Sequence, residues 1–252
     1  MDSRLSFASP VHSRAGHLLD PALEADWDAR CDRWEQIAAS APFIALREEV
    51  LTEAGIEAGQ SVVDLGSGTG LLALAAAEHA GHVLAIDISA PMLHRLAERA
   101  AERGLTNIEL VHGDIRRLPL PDESADVIVS CYAFHHLVDD GKELAAAEAF
   151  RVLRPGGRLV VADMMFELSM GRRDRRIIRQ KVALMLRRGV PGVIRLFKNA
   201  ARIAGGRWEH PASTAWWETM LARRGFVLVG SRELAQEAGV AYATKPPPSA
   251  TA

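Results

Sequence analysis

Tyr132, His135 and His136 fall within one five-residue stretch. An imidazole titrates near neutral pH, so either ring can take a proton from a reacting group. Either histidine can equally cap or pack against a following helix. A second group of residues has binding chemistry. Asp64 precedes three alternating glycines, Gly66, Gly68 and Gly70. Glycines so placed let the backbone turn tightly and let a ligand approach the main chain. A carboxylate two residues before the first glycine repels phosphate and favours a ligand carrying positive charge, such as an ammonium or sulfonium. Asp87 closes the apolar run His82–Ile88. An acid at such a strand tip can accept both hydroxyls of a ribose. Ser89, before Pro91, is the better cap for the next helix and leaves Asp87 to a ligand.

The elements that must carry these residues follow from the apolar pattern. Ser61–Leu65 is short, apolar and rich in β-branched residues, as a strand buried on both faces would be. Leu71–Glu78 is a strong helix former. His82–Ile88, Asn107–His112, Ala125–Cys131 and Arg158–Met165 read as four further strands. Helices are expected at Pro91–Arg103 and Lys142–Leu153 between them. Phe226–Glu233 and Val240–Lys245 read as two last strands, reached through a helix over Trp216–Arg224. Upstream, Ala22–Ser40 reads as one helix with Trp27, Cys31 and Trp34 on one face, and Pro42 opens another that ends near Gly55. The aromatic face is either core or a lid. The fourth strand delivers Tyr132, His135 and His136 to the carboxyl end of the sheet, where open α/β sheets bind ligands.

Asp64-Leu65-Gly66-Ser67-Gly68-Thr69-Gly70 resembles motif I of the class I S-adenosylmethionine-dependent methyltransferases. Asp87, Gly113-Asp114-Ile115, Tyr132–Leu137 and Leu153-Arg154-Pro155-Gly156-Gly157 follow in the order that family shows. The resemblance covers Ser61–Met165. It is nearest to the branch holding ubiquinone and menaquinone C-methyltransferases and bacterial small-molecule enzymes. It implies a doubly wound, mostly parallel seven-stranded α/β sheet with helical cap additions and the last strand antiparallel. It implies S-adenosylmethionine as cofactor, with S-adenosylhomocysteine as product. By resemblance, cofactor binding falls to Asp64, Gly66, Ser67, Gly68, Gly70, Asp87, Ile88, Met92, Asp114, Ile115 and Ser130. Ile88 and Met92 would pack on the adenine, and Asp114 would meet its amino group. His135, His136 and Tyr132 are the catalytic candidates. Related enzymes carry Trp-x-x-x-Tyr-Asp upstream, where this chain has Trp27–Asp32 with Cys31 in place of the tyrosine.

Four segments are expected: residues 1–57 as arm and lid helices, 58–165 as cofactor-binding core, 166–211 as a basic helical cap, and 212–252 completing the sheet. The basic segment is the least generic. Residues 171–208 hold twelve Lys or Arg and one acid, a net of +11, so the remainder of a chain of net charge -2 carries -13. Two amphipathic helices fit, one with Ile178, Val182, Met185 and Leu186 on a face, the other with Ile194, Phe197, Ala200, Ala201 and Ala204. A cap over a hydrophobic or anionic small-molecule acceptor, with Trp208, Trp216 and Trp217 completing a pocket wall, docking on an anionic membrane, and contact with RNA phosphates are the open readings. The lack of interleaved aromatics counts against nucleic acid. An RNA-modifying enzyme and a catalytically silent cofactor-binding scaffold remain the alternatives of other classes. Two distant cysteines, no metal-like spacing and no signal-like or membrane-length apolar run lead to a cytoplasmic expectation with no metal. Oligomeric state and the atom methylated leave no mark in the sequence.

Overall fold

Val62 and Val63 stand on opposite faces of strand β1 (Ser61–Leu65), and both are buried. That is why its apolar run is continuous rather than alternating: each face of the sheet has its own core. The computed structural model describes residues 21–166, 172–187, 189, 191, 193–194, 209–234 and 237–248. Seven strands form one sheet in the order β3-β2-β1-β4-β5-β7-β6. They are β1, β2 (His82–Asp87), β3 (Ile108–His112), β4 (Ala125–Cys131), β5 (Leu153–Met164), β6 (Val227–Glu233) and β7 (Ala238–Thr244). Strands β1 to β5 pair in parallel, and β7 runs antiparallel to both β5 and β6. The doubly wound, seven-stranded expectation therefore holds. Strand order reverses between β1 and β4, so a crevice opens at their carboxyl ends.

One face of the sheet packs against Leu46, Val50 and Ala54 of α3 (Ala41–Ala54), the short α4 (Ala73–Ala76), and Leu96 and Ala100 of α5 (Ala90–Glu102). The other packs against Ala145, Ala146 and Ala149 of α6 (Asp139–Val152) and Trp217, Met220 and Leu221 of α8 (Thr214–Arg223). The remaining described helices are α1 (Pro21–Asp28), α2 (Cys31–Ala38) and α7 (Arg172–Arg187). Helix ends fall where the caps lie. Gly55 closes α3 in the left-handed region, and the Ser89 hydroxyl accepts from Met92 N at 3.4 Å to open α5. Among the described residues no helix is long and apolar enough to cross a membrane.

Four local expectations change. Ala22–Ser40 is not one helix: a turn at Ala29–Arg30, closed by Arg30 N donating to Trp27 O at 2.9 Å, separates α1 from α2. No Gly or Pro marks that break. The helix after the glycines shrinks to four residues, because the chain is still turning at Leu71–Leu72 and the Ala73 amide donates to Asp64. β5 begins at Leu153, ahead of Arg158, since Leu153 already pairs with Ala125. Trp217 belongs to the core with Phe134 rather than to a pocket wall. Trp208 and the second basic helix around Phe197–Ala204 lie outside the described residues.

Candidate active site

The carboxyl ends of β1 and β2 are held together by backbone before any side chain acts. Gly66 N and Ser67 N both donate to Ile86 O, at 2.8 and 2.9 Å. Asp87 completes the clasp. Its Oδ2 accepts from Gly68 N at 2.7 Å and its Oδ1 from Ser89 N at 2.9 Å. Asp87 is thus not left over by the Ser89 cap: each oxygen already holds one amide and keeps further lone-pair capacity for a ligand. Burial pushes its carboxyl up, and the two amides oppose that rise. Gly66 and Gly68 have φ of 71° and 52°, a region L side chains avoid. A Cβ on Gly66 would come within 2.4 Å of Ala133 Cβ, and one on Gly68 within 2.8 Å of Trp34 Nε1. Gly68→Val should therefore displace Trp34 and abolish binding of S-adenosylhomocysteine while the sheet still melts cooperatively. Calorimetry and a thermal melt check this, and normal binding would show that the turn cradles nothing.

Beside this clasp lies a partly open cavity at the carboxyl ends of β1, β2 and β4. Gly66, Gly68 and Asp87 form one end. Ile88, Met92, Ile115 and Leu137 supply apolar walls, with Asp114 among the lining residues. The Asp114 carboxylate is gripped by Arg116, whose Nε lies 2.9–3.0 Å from its two oxygens. Trp27 and Trp34 reach the cavity from α1 and α2. α1 is tied down at the rim. The Ser89 hydroxyl donates to Asp28 at 2.6 Å, and Glu24 lies 3.2 Å from His112 Nε2. The aromatic face of α1 and α2 is a roof over the site.

The expected cofactor residues divide. Gly66, Gly68, Asp87, Ile88, Met92, Asp114 and Ile115 line the cavity. Asp64, Ser67, Gly70 and Ser130 do not. The Ser130 hydroxyl is buried and donates to Leu65 O at 2.7 Å, tying β4 to β1. A Cβ on Gly70 would meet Leu96 Cδ1 at 2.3 Å, so this glycine serves the packing of the turn on α5. The Ser67 hydroxyl is buried without a protein partner. Asp64 lies behind the turn, where its carboxylate accepts from Ala73 N at 2.9 Å. Burial raises its pKa to about 8, so at neutral pH the carboxyl is mostly protonated and does not draw a cation by its charge.

That shift has a sign that can be tested. A carboxyl that titrates near 4 when unfolded and near 8 when folded stabilises the fold fully below the lower value. The contribution is lost as pH rises toward 8, by up to about 1.4 kcal/mol per pH unit. Asp64→Asn keeps the acceptor for Ala73 and removes the titration. Melting curves of the two proteins should differ by a constant at acid pH, then move in favour of the variant up to pH 8. Parallel curves throughout would refute the buried, protonated Asp64.

The histidines occupy different environments. After β4 the chain enters the left-handed region at Tyr132, with φ of 57°, held by Tyr132 N donating to Ala162 O at 2.8 Å. A short 3₁₀ turn, Phe134–His136, follows. His135 is buried, and its Nδ1 is hydrogen-bonded to Asp163. The same carboxylate accepts from His135 N at 2.9 Å and Met164 N at 2.7 Å. A carboxylate only accepts, so the ring proton sits on Nδ1 and leaves Nε2 as the basic nitrogen. His136 lines the cavity, with its ring 3.8 Å from that of His135 and 4.6 Å from that of Trp27. Burial, helped by His135 and Arg30, lowers its pKa to about 2. His136 is thus a neutral wall of the cavity, whereas His135, held by Asp163, is buried beside it and is not among the residues that line the cavity. Burial likewise pushes the Tyr132 phenol well up, with Glu237, Asp163 and Glu209 adding to the effect. Asp163 was not among the expected site residues. An acid at the carboxyl end of β5, beside the loop leaving β4, is the signal that marks it.

Residues 62–157 match a family profile described as a methyltransferase domain. The chain is 38% identical over 142 residues to an uncharacterized methyltransferase of Geobacillus thermodenitrificans, covering 56% of this chain and 61% of that protein. It is 32% identical over 135 residues to the demethylmenaquinone methyltransferase of Listeria monocytogenes serotype 4a, covering 52% and 56%. The matches thus span about three fifths of the length of these curated relatives. Among solved structures, a SAM-dependent methyltransferase from Aquifex aeolicus superposes with a TM-score of 0.58 at 22% identity, covering 90% of this chain and 99% of that one.

Proposed function

Because residues 62–157 are a methyltransferase domain, we propose that the chain transfers a methyl group from S-adenosylmethionine to a small-molecule acceptor. The observation that carries the proposal is Asp87. It is an acid at the tip of β2, locked by the Gly68 and Ser89 amides against a glycine turn and facing a largely apolar cavity. The residues fit the cofactor. Asp87 has lone pairs left for ribose hydroxyls, and Ile88, Met92, Ile115 and Leu137 form a slot for a flat ring. Asp114 is placed to receive an amino group, and Gly66 and Gly68 leave main chain bare. Bound there, S-adenosylmethionine supplies a methyl group made electrophilic by its sulfonium.

Such a transfer asks little of the protein beyond alignment and dryness. Trp27 and Trp34 roof the cavity against water. The Tyr132–His136 turn sets its far wall. Where the acceptor must lose a proton, His135 is the base this reading proposes: Asp163 holds its ring in the tautomer that leaves Nε2 basic, and the ring lies against His136, which lines the cavity, rather than in the lining itself. A small acceptor is supported by the Listeria relative's name, which gives demethylmenaquinone as the molecule methylated. The test is incubation with S-adenosylmethionine and pooled metabolites, followed by mass detection of methylated products. S-adenosylhomocysteine formed in step with one such product supports the reading. Cofactor binding with no product in any pool would leave a silent cofactor-binding protein.

A further inference from the structure

Helix α7 is not absorbed by the proposed reaction. Its segment, residues 171–208, carries the net +11 of a chain whose remainder is -13. In α7 the arginines Arg175, Arg176 and Arg179 are exposed, and with Gln180 they line a shallow cleft open to solvent. At 3.6 residues per turn, Arg175, Leu186 and Arg179 project within about 40° of one another. Leu186 is 52% exposed, although its pattern placed it with the apolar stripe. That stripe, Ile178, Val182 and Met185, is only half-buried, and no described side chain of α7 is buried. Farther on, Ile194 is 51% exposed. A cap that merely closed over the sheet would turn its leucine inward and its arginines toward the acidic core domain.

We propose that this face of α7 docks the protein on an anionic lipid bilayer, with the arginines at the lipid phosphates and Leu186 entering the headgroup layer. Charge complementarity selects the partner. A leaflet bearing anionic lipid holds a negative surface potential that attracts clustered Lys and Arg within a Debye length. The remaining -13 is repelled by the same surface, so the charge separation also orients the molecule with α7 toward the membrane. An apolar side chain standing among arginines suits a lipid headgroup layer. It gains nothing against a nucleic-acid backbone, and α7 contains no aromatic residue on which a base could stack.

Co-sedimentation of the full chain with vesicles tests this, using phosphatidylcholine alone and phosphatidylcholine mixed with phosphatidylglycerol. Binding is expected to the mixed vesicles only and should fall steeply from low to physiological salt. Reversing three charges together, in R175E/R176E/R179E, should weaken it by about a hundredfold or more. Leu186→Glu should weaken it several-fold. Neither variant should change the melting temperature or the affinity for S-adenosylhomocysteine, which keeps this result separate from the fate of the methyl-transfer reading. Absence of binding to mixed vesicles at low salt would overturn the proposal, as would a triple variant that sediments like the wild type. So would tighter retention on RNA at equal phosphate concentration that Leu186→Glu leaves unchanged.

Discussion

Replacing Asp87 by alanine should weaken S-adenosylhomocysteine binding by roughly 10²–10⁴-fold. Two charge-assisted hydrogen bonds to ribose hydroxyls are lost, each worth about 1.5–3 kcal/mol. The same change unpairs the Gly68 and Ser89 amides, which Asp87 now satisfies at 2.7 and 2.9 Å. Stability should therefore fall as well, and the alanine result alone would mix the two effects. Asp87→Asn separates them, because its carbonyl oxygen still accepts one amide while the charge is gone. Calorimetry on the asparagine variant, with a melt to show it is folded, decides the matter. Affinity within a factor of three of the wild type would mean that Asp87 holds the turn and not the ligand.

Asp163→Asn should lower kcat on an acceptor that loses a proton by about 10²–10⁴-fold and leave cofactor affinity unchanged. Asparagine still accepts hydrogen bonds but no longer stabilises an imidazolium at His135. The wild-type kcat should carry a pH dependence that His135→Asn removes. His136→Asn should keep that pH profile, since His136 is held neutral down to about pH 2. Nitrogen NMR of the His135 ring gives a readout that does not depend on turnover. The wild type should show the proton on Nδ1, and Asp163→Asn should redistribute it. A pH profile lost in the His136 variant and kept in His135→Asn would reverse the assignment.

What the sequence made legible was whatever depends on neighbours along the chain. The strands show as apolar runs because both faces of the sheet are buried. Gly55 and Ser89 mark helix ends because capping is local chemistry. Asp87 shows at a strand tip because βα turns of this type are stereotyped. Apart from the turn at Ala29–Arg30, the errors share a cause, which is contact between residues that are not neighbours along the chain. The α4 helix is short because Asp64 takes the Ala73 amide from nine residues away. His136 loses its basicity to a roof that Trp27 brings from α1. His135 gains its partner from the end of the adjacent strand, 28 residues on. Register alone could have found that last pair, since Cys131 lies opposite Ala162 in the β4–β5 ladder. Asp163 therefore follows directly beside Tyr132.

The roof over the cavity has a consequence during synthesis. Trp27 and its neighbours leave the ribosome first, but every surface they cover comes later: Ser89, His112 and finally His136. At about 5–20 residues per second, the 109 residues from Trp27 to His136 take roughly 5 to 20 s to make. Through that interval the two tryptophans ride on a nascent segment with only each other and Phe43 to pack against. They form an apolar surface for chaperones to hold, and they can settle only after the parallel strands beneath them have paired.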